Sequence, residues 1–204
     1  LPLESPYRTT MSNTTQDAPA AKIFNVPNQL TAARFVLAIV VFVLIIWQQY
    51  FAAMIVFIVA ASTDWIDGYW ARRFNQVTKI GRVFDPFVDK IIICGTFILL
   101  GAERGSGIEA WMAVVVFGRE MLVTALRSFI EQHGGDFSAK MAGKLKMGFQ
   151  CAAVVVSLWV LKTGPEGTAA WLHWTLFGLA WLAVLSTIQS GLGYVLASAK
   201  FFKE

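Results

Sequence analysis

Asp64-Trp65-Ile66-Asp67-Gly68-Tyr69-Trp70-Ala71-Arg72, then eight residues to Gly81, three more to Asp85 and three more to Asp89, is a polar stretch set in an otherwise apolar chain. Carboxylates three and four residues apart project from one face of a helix. Both pairs lie at the edge of long apolar runs, and an unpaired carboxylate costs roughly 2.5–3.5 kcal/mol at the centre of a membrane helix. Four carboxylates turned towards one another also repel strongly in a low dielectric, so the pattern calls for a cation among them. All-oxygen ligation suits hard divalent ions, Mg²⁺ or Mn²⁺ ahead of zinc. Four carboxylates suffice for two bridged ions about 4 Å apart, the clamp used for displacement at phosphorus. Structural ion pairs with Arg72, Arg73 and Lys90 are the blander reading, and they explain neither Gly68 and Ala71 nor the second carboxylate pair.

Working outward, the 204 residues are 56% apolar and only 15% charged. Such a chain has more apolar surface than a soluble core of this size can bury, which places it in the membrane class. Cys94 and Cys151 lie in apolar runs without metal-ligand spacing and read as small core residues. The net charge of +4 is modest, and its placement matters more than its size. Nothing in the pattern calls for a nucleic acid.

Residues 1–22, rich in Ser, Thr, Pro, Asn and Gln, read as a disordered tail with no cleaved signal peptide, and Met11 competes with Leu1 as the true start. Ile23 to Arg34, with Pro27 near a helix start, predicts a short interfacial helix. Six apolar runs then approach the roughly 20 residues a bilayer needs. They are expected at about Thr31–Trp47, Phe51–Asp64, Val83–Leu100, Ile108–Phe129, Leu145–Leu161 and from Ala169 towards Ala199, with a bend expected at Gly191 and Gly193. The expectation is an all-α integral membrane protein of six transmembrane helices, with residues 23–200 as a single membrane domain.

The loops after spans one, three and five hold only Arg104 and Lys162, whereas the termini and the other loops hold nearly all remaining basic residues. By the positive-inside rule both termini and the Asp64–Asp89 site face the cytoplasm.

The frame D-x2-D-G-x2-A-R-x8-G-x3-D-x3-D, matched from Asp64 to Asp89 at all eight specified positions, resembles the signature of the CDP-alcohol phosphatidyltransferase family. The likeness extends over about residues 23–200, through Asn25-Val-Pro-Asn-Gln-Leu-Thr-Ala-Ala-Arg34, Gly118-Arg-Glu-Met-Leu-Val-Thr-Ala-Leu-Arg127 and Gly143-Lys-Leu-Lys146. It is strongest for the bacterial branch that joins CDP-diacylglycerol to sn-glycerol 3-phosphate, giving phosphatidylglycerophosphate and CMP at the inner membrane. The resemblance implies that Asp64 and Asp85 are shared by two metal ions, Mg²⁺ or Mn²⁺, with Asp67 on the first and Asp89 on the second. It also makes Asp89 the catalytic base. Asn28, Thr31, Gly68, Ala71, Arg72, Thr78 and Gly81 would hold CDP-diacylglycerol, Gly68 and Ala71 by leaving room for the cytidine and Arg72 as a fork to the diphosphate.

Arg119, Lys144 and Lys146 are expected to bind the acceptor phosphate, since Arg meets phosphate bidentately and Lys as a point charge. Lys144 and Lys146 point in different directions on a helix, and Lys144 is the favoured one. Glu120 beside Arg119 reads as an internal ion pair, His133 as a loop residue and His173 as an interfacial one. Trp47, Trp111, Trp171 and Trp174 read as interface anchors. Glycines in spans five and six read as packing contacts that leave a homodimer seam open. A cardiolipin synthase, a phosphatidylinositol-phosphate synthase or a phosphatidylserine synthase would use the same donor site with another acceptor. A divalent-cation transporter would instead need polar residues spread across the membrane depth.

Overall fold

A computed structural model describes residues 26–74, 79–132 and 142–201. Among the described residues the protein is all-helical, with α1 Val26–Ile46, α2 Tyr50–Phe74, α3 Lys79–Ala102, α4 Ala110–Gln132, α5 Ala142–Gly167 and α6 Ala170–Phe201. The tail expected at residues 1–22 lies outside them. Of the segment expected as a separate interfacial helix, the part from Val26 onward runs unbroken into α1. Pro27 is the second residue of that helix, where a missing N–H leaves no hydrogen bond unmade, so nothing interrupts it.

α1 stops because Gln48 adopts a left-handed conformation, φ 60°. The Gln48 amide then donates to Ile45 O (2.8 Å) and the Gln49 amide to Leu44 O (2.8 Å), a Schellman cap that turns the chain straight into α2. α5 is broken at Gly164 (φ 71°, ψ 173°), between the runs expected to end at Leu161 and to begin at Ala169. α6 runs through Gly191 and Gly193, where a bend is expected, without leaving the helical conformation. A helix packed on both α4 and α5 has its course set by its neighbours, and glycine only permits a bend.

Neighbouring helices close a ring in the order α1, α2, α5, α6, α4, α3 and back to α1, with α3 also touching α5 across it. Val41, Ile45, Phe57, Phe97, Leu100, Val116, Val154, Leu158 and Val184 are buried inside. α1 and α3 approach closely because Gly95 has no side chain, and a Cβ there would lie 2.3 Å from Phe42 Cζ.

The three junctions α1–α2, α3–α4 and α5–α6 gather at one end. Tyr50 Oη donates to Glu103 Oε2 at 3.1 Å, Ser157 Oγ donates to Ser106 O at 2.6 Å, and Lys162 Nζ lies over the Phe51 and Trp159 rings. Trp47, Trp171 and Trp174, at the same junctions, are among the most exposed large residues. Large apolar side chains such as Val114, Leu185 and Leu196 cover the outside of the bundle. Two helical segments, Leu145–Gly164 and Ala170–Leu196, are long and apolar enough to cross a membrane, and shorter apolar stretches occupy α1, α2 and α3.

Candidate functional site

The aspartates occupy the opposite end of the chain's up-and-down course. Asp64, Asp67, Gly68, Ala71 and Arg72 belong to the last three turns of α2, and Gly81, Asp85 and Asp89 to the first three turns of α3. Counting along the backbone, Asp64 precedes the end of α2 by ten residues and Asp89 follows the start of α3 by ten, about 15 Å of helix in each case. Asp67 and Asp85 stand seven and six residues from those ends. The side chains of residues 64–86, of Asp89, of Asn28 and of Lys144 lie outside the described part, and Thr78 does so entirely. Thr31, expected at the nucleotide, is buried in the second turn of α1.

The structure brings Arg119 and Lys146 together around Glu120. Arg119 Nη1 donates to Glu120 Oε1 at 3.1 Å, and Lys146 Nζ donates to the same oxygen. One carboxylate oxygen thus ties α4 to α5. Arg119 Nη2 donates to Ser190 Oγ on α6 at 2.5 Å, and the guanidinium lies 5.7 Å from the centre of the Tyr194 ring. Lys90, the residue after Asp89 in α3, donates to Thr124 Oγ1, and Thr124 Oγ1 in turn donates to Glu120 O at 2.6 Å. Four helices meet at this cluster.

Charges taken out of water need partners, and most of this cluster's polar groups have them. Arg119 Nε is the exception: it is buried and has no partner among the described residues. Of the five N–H donors of Arg119, Glu120 and Ser190 engage two, and a guanidinium with donors to spare is suited to bind an anion. Lys146 turns inward and is only 5% exposed, whereas the side chain of Lys144, favoured from the sequence, lies outside the described part. The neighbouring carboxylate explains the burial, since Glu120 supplies the counter-charge that an inward lysine needs.

Sequence reasoning missed Thr124, Ser190, Gly191 and Tyr194. A Cβ on Gly191 would lie 3.1 Å from Arg119 Cγ, so this glycine makes room for the arginine stem. The available signal was the spacing of Ser190 and Tyr194, four apart and therefore on one helix face.

The profile of the CDP-alcohol phosphatidyltransferase family matches residues 24–188. The chain belongs to that family. It is accordingly a phosphatidyltransferase and a membrane protein. Among its relatives, the CDP-diacylglycerol–glycerol-3-phosphate 3-phosphatidyltransferase of Bacillus subtilis (strain 168) is 33% identical over 84% of this chain and 94% of its own. Proteins of the same name from Pseudomonas fluorescens (35% identical, 85% and 90% covered) and Escherichia coli K12 (33%, 86% and 95%) align over almost the same length. The family match takes in Arg119, Glu120 and Lys146 as well as the aspartate frame, and ends two residues before Ser190.

Proposed function

We propose that the protein transfers the phosphatidyl group of CDP-diacylglycerol to sn-glycerol 3-phosphate, giving phosphatidylglycerophosphate and CMP. The observation that carries this reading is the buried Arg119–Glu120–Lys146 cluster with its spare guanidinium N–H. A phosphorylated acceptor needs such a cationic pocket, and a neutral one such as serine or free inositol does not. The activity named for the three relatives supports the same acceptor.

Asp64, Asp67, Asp85 and Asp89 are the metal ligands in this reading. Four carboxylates without a histidine or thiol suit Mg²⁺ or Mn²⁺, and matching distances from the α2 and α3 ends suit a shared site. Two such ions would neutralise diphosphate charge and make CMP a better leaving group. The chain's own residues do the rest. Arg119 and Lys146 hold the acceptor phosphate, and Lys144 stands one turn or less from Lys146. Asp89 accepts the proton of the acceptor hydroxyl as its oxygen attacks phosphorus. The P–O bond to CMP breaks, and CMP leaves with the electron pair. Asn28, Thr31, Gly68, Ala71, Arg72, Thr78 and Gly81 bind the nucleotide end of the donor.

In this reading α1 to α6 are six membrane crossings of one catalytic domain, residues 23–200. The cytoplasmic side holds the termini, the aspartates and the basic loops, as the charge asymmetry supports. The test is purified protein in mixed micelles with CDP-diacylglycerol and a panel of acceptors, read as CMP release. Glycerol 3-phosphate should be strongly preferred over serine, inositol, inositol phosphate and phosphatidylglycerol, and preference for any of these overturns the assignment.

A further inference from the structure

We propose that Glu120 is a positioning residue of the acceptor site, whose Oε1 binds Arg119 and Lys146 into one preformed cationic pair. This rests on the acceptor reading above. Arg119 and Lys146 come from different helices and carry the same charge, so without a shared anion they would repel and separate. Glu120 Oε1 accepts from both, and Ser190 and Tyr194 hold the guanidinium from the side of α6. These contacts engage Nη1, Nη2 and one face of the guanidinium, which still has N–H donors to spare. Glu120 itself is 8% exposed, so its carboxylate is the counter-charge that lets both cations stay buried.

A placeholder role makes the opposite prediction. If Glu120 merely occupied the phosphate position, removing its charge would free the cations and tighten acceptor binding. A positioning role loosens it. Glu120→Gln should raise the KM for glycerol 3-phosphate about tenfold or more, in the range of a lost hydrogen bond to a charged group. The KM for CDP-diacylglycerol should stay within about twofold of wild type, since a residue acting only through the acceptor cations leaves donor binding alone.

Coupling separates positioning from general support of the fold. If Glu120 acts through Arg119 and Lys146, Glu120→Gln combined with Lys146→Ala should raise the acceptor KM by less than the product of the two single effects, whereas independent effects would multiply. An unchanged or lowered acceptor KM in Glu120→Gln, multiplying effects, or a parallel rise in donor KM each overturn the proposal. Should Glu120→Gln not fold, Glu120→Asp keeps the charge and shortens the reach. A raised acceptor KM with unchanged donor KM then supports the proposal, and a wild-type acceptor KM overturns it. Arg119→Ala serves as the control. If it leaves the glycerol 3-phosphate KM unchanged, the acceptor reading itself fails; if it raises that KM while Glu120→Gln does not, only the role of Glu120 fails.

Discussion

Lys146 and Gln150 stand one turn apart on α5 and are both almost wholly buried, yet their surroundings differ in kind. Gln150 Nε2 donates to Thr187 Oγ1 at 3.1 Å, and two turns further on Ser157 Oγ donates to the Ser106 carbonyl. These neutral groups answer one another and fasten α5 to α6 and to the α3–α4 junction. Around Lys146 the charged groups Lys90, Arg119 and Glu120 gather from α3 and α4, with Ser190 reaching in from α6, and Arg119 Nε has no partner among the described residues. Neutral interhelical hydrogen bonds act as glue at modest gain. A charged cluster is costly to bury and is retained where it binds something. One helix thus carries a structural polar region beside a functional one.

Substitutions should separate the two regions by what they change. The largest effect is expected in the aspartate frame. In the two-ion reading, Asp85→Asn removes the charge of a shared metal ligand with little change of shape and should abolish CMP release, as EDTA should do reversibly until Mg²⁺ or Mn²⁺ is restored. Full turnover in Asp85→Asn would sink the two-ion reading. Asp89→Asn should lower kcat by roughly 10²-fold or more, the range for a positioned general base, while CDP-diacylglycerol still binds. If donor affinity falls to the same degree, Asp89 is chiefly a metal ligand.

The smallest effect belongs to the neutral region. Gln150→Leu should leave both KM values and kcat near wild type and lower the melting temperature of the detergent-solubilised protein. The expected loss is about 1 kcal/mol, typical of an interhelical hydrogen bond in a membrane bundle. A kinetic defect without a thermal one would place Gln150 in the functional region and erase the distinction.

Much of this contrast was legible in the chain itself. The Asp64–Asp89 frame is a local pattern, and helix periodicity turns such spacing directly into position. The six helices follow from apolar run length in the same way, with the α1–α2 turn falling at Gln48 and Gln49 as expected. The Arg119–Glu120–Lys146 cluster was legible only in part. Arg119 stands out as a cation in an apolar helix, but nothing local says that Lys146 turns inward, because that depends on Glu120 of another helix 26 positions away. Ser190, Gly191 and Tyr194 were hidden for the same reason. Their role comes from the packing of α6 against α4, and Gly191 reads as a bend until the Arg119 stem is seen beside it.

The most direct measurement is steady-state kinetics of Arg119→Ala with each substrate varied in turn. A buried guanidinium that serves the acceptor phosphate should, when removed, raise the KM for glycerol 3-phosphate by about 10- to 100-fold, the range for hydrogen bonds to a charged group. The KM for CDP-diacylglycerol should stay within about twofold, because uniform loss of one substrate's binding leaves the other's intact. An unaltered glycerol 3-phosphate KM, or an equal rise for both substrates, would contradict the assignment of the Arg119 cluster to the acceptor.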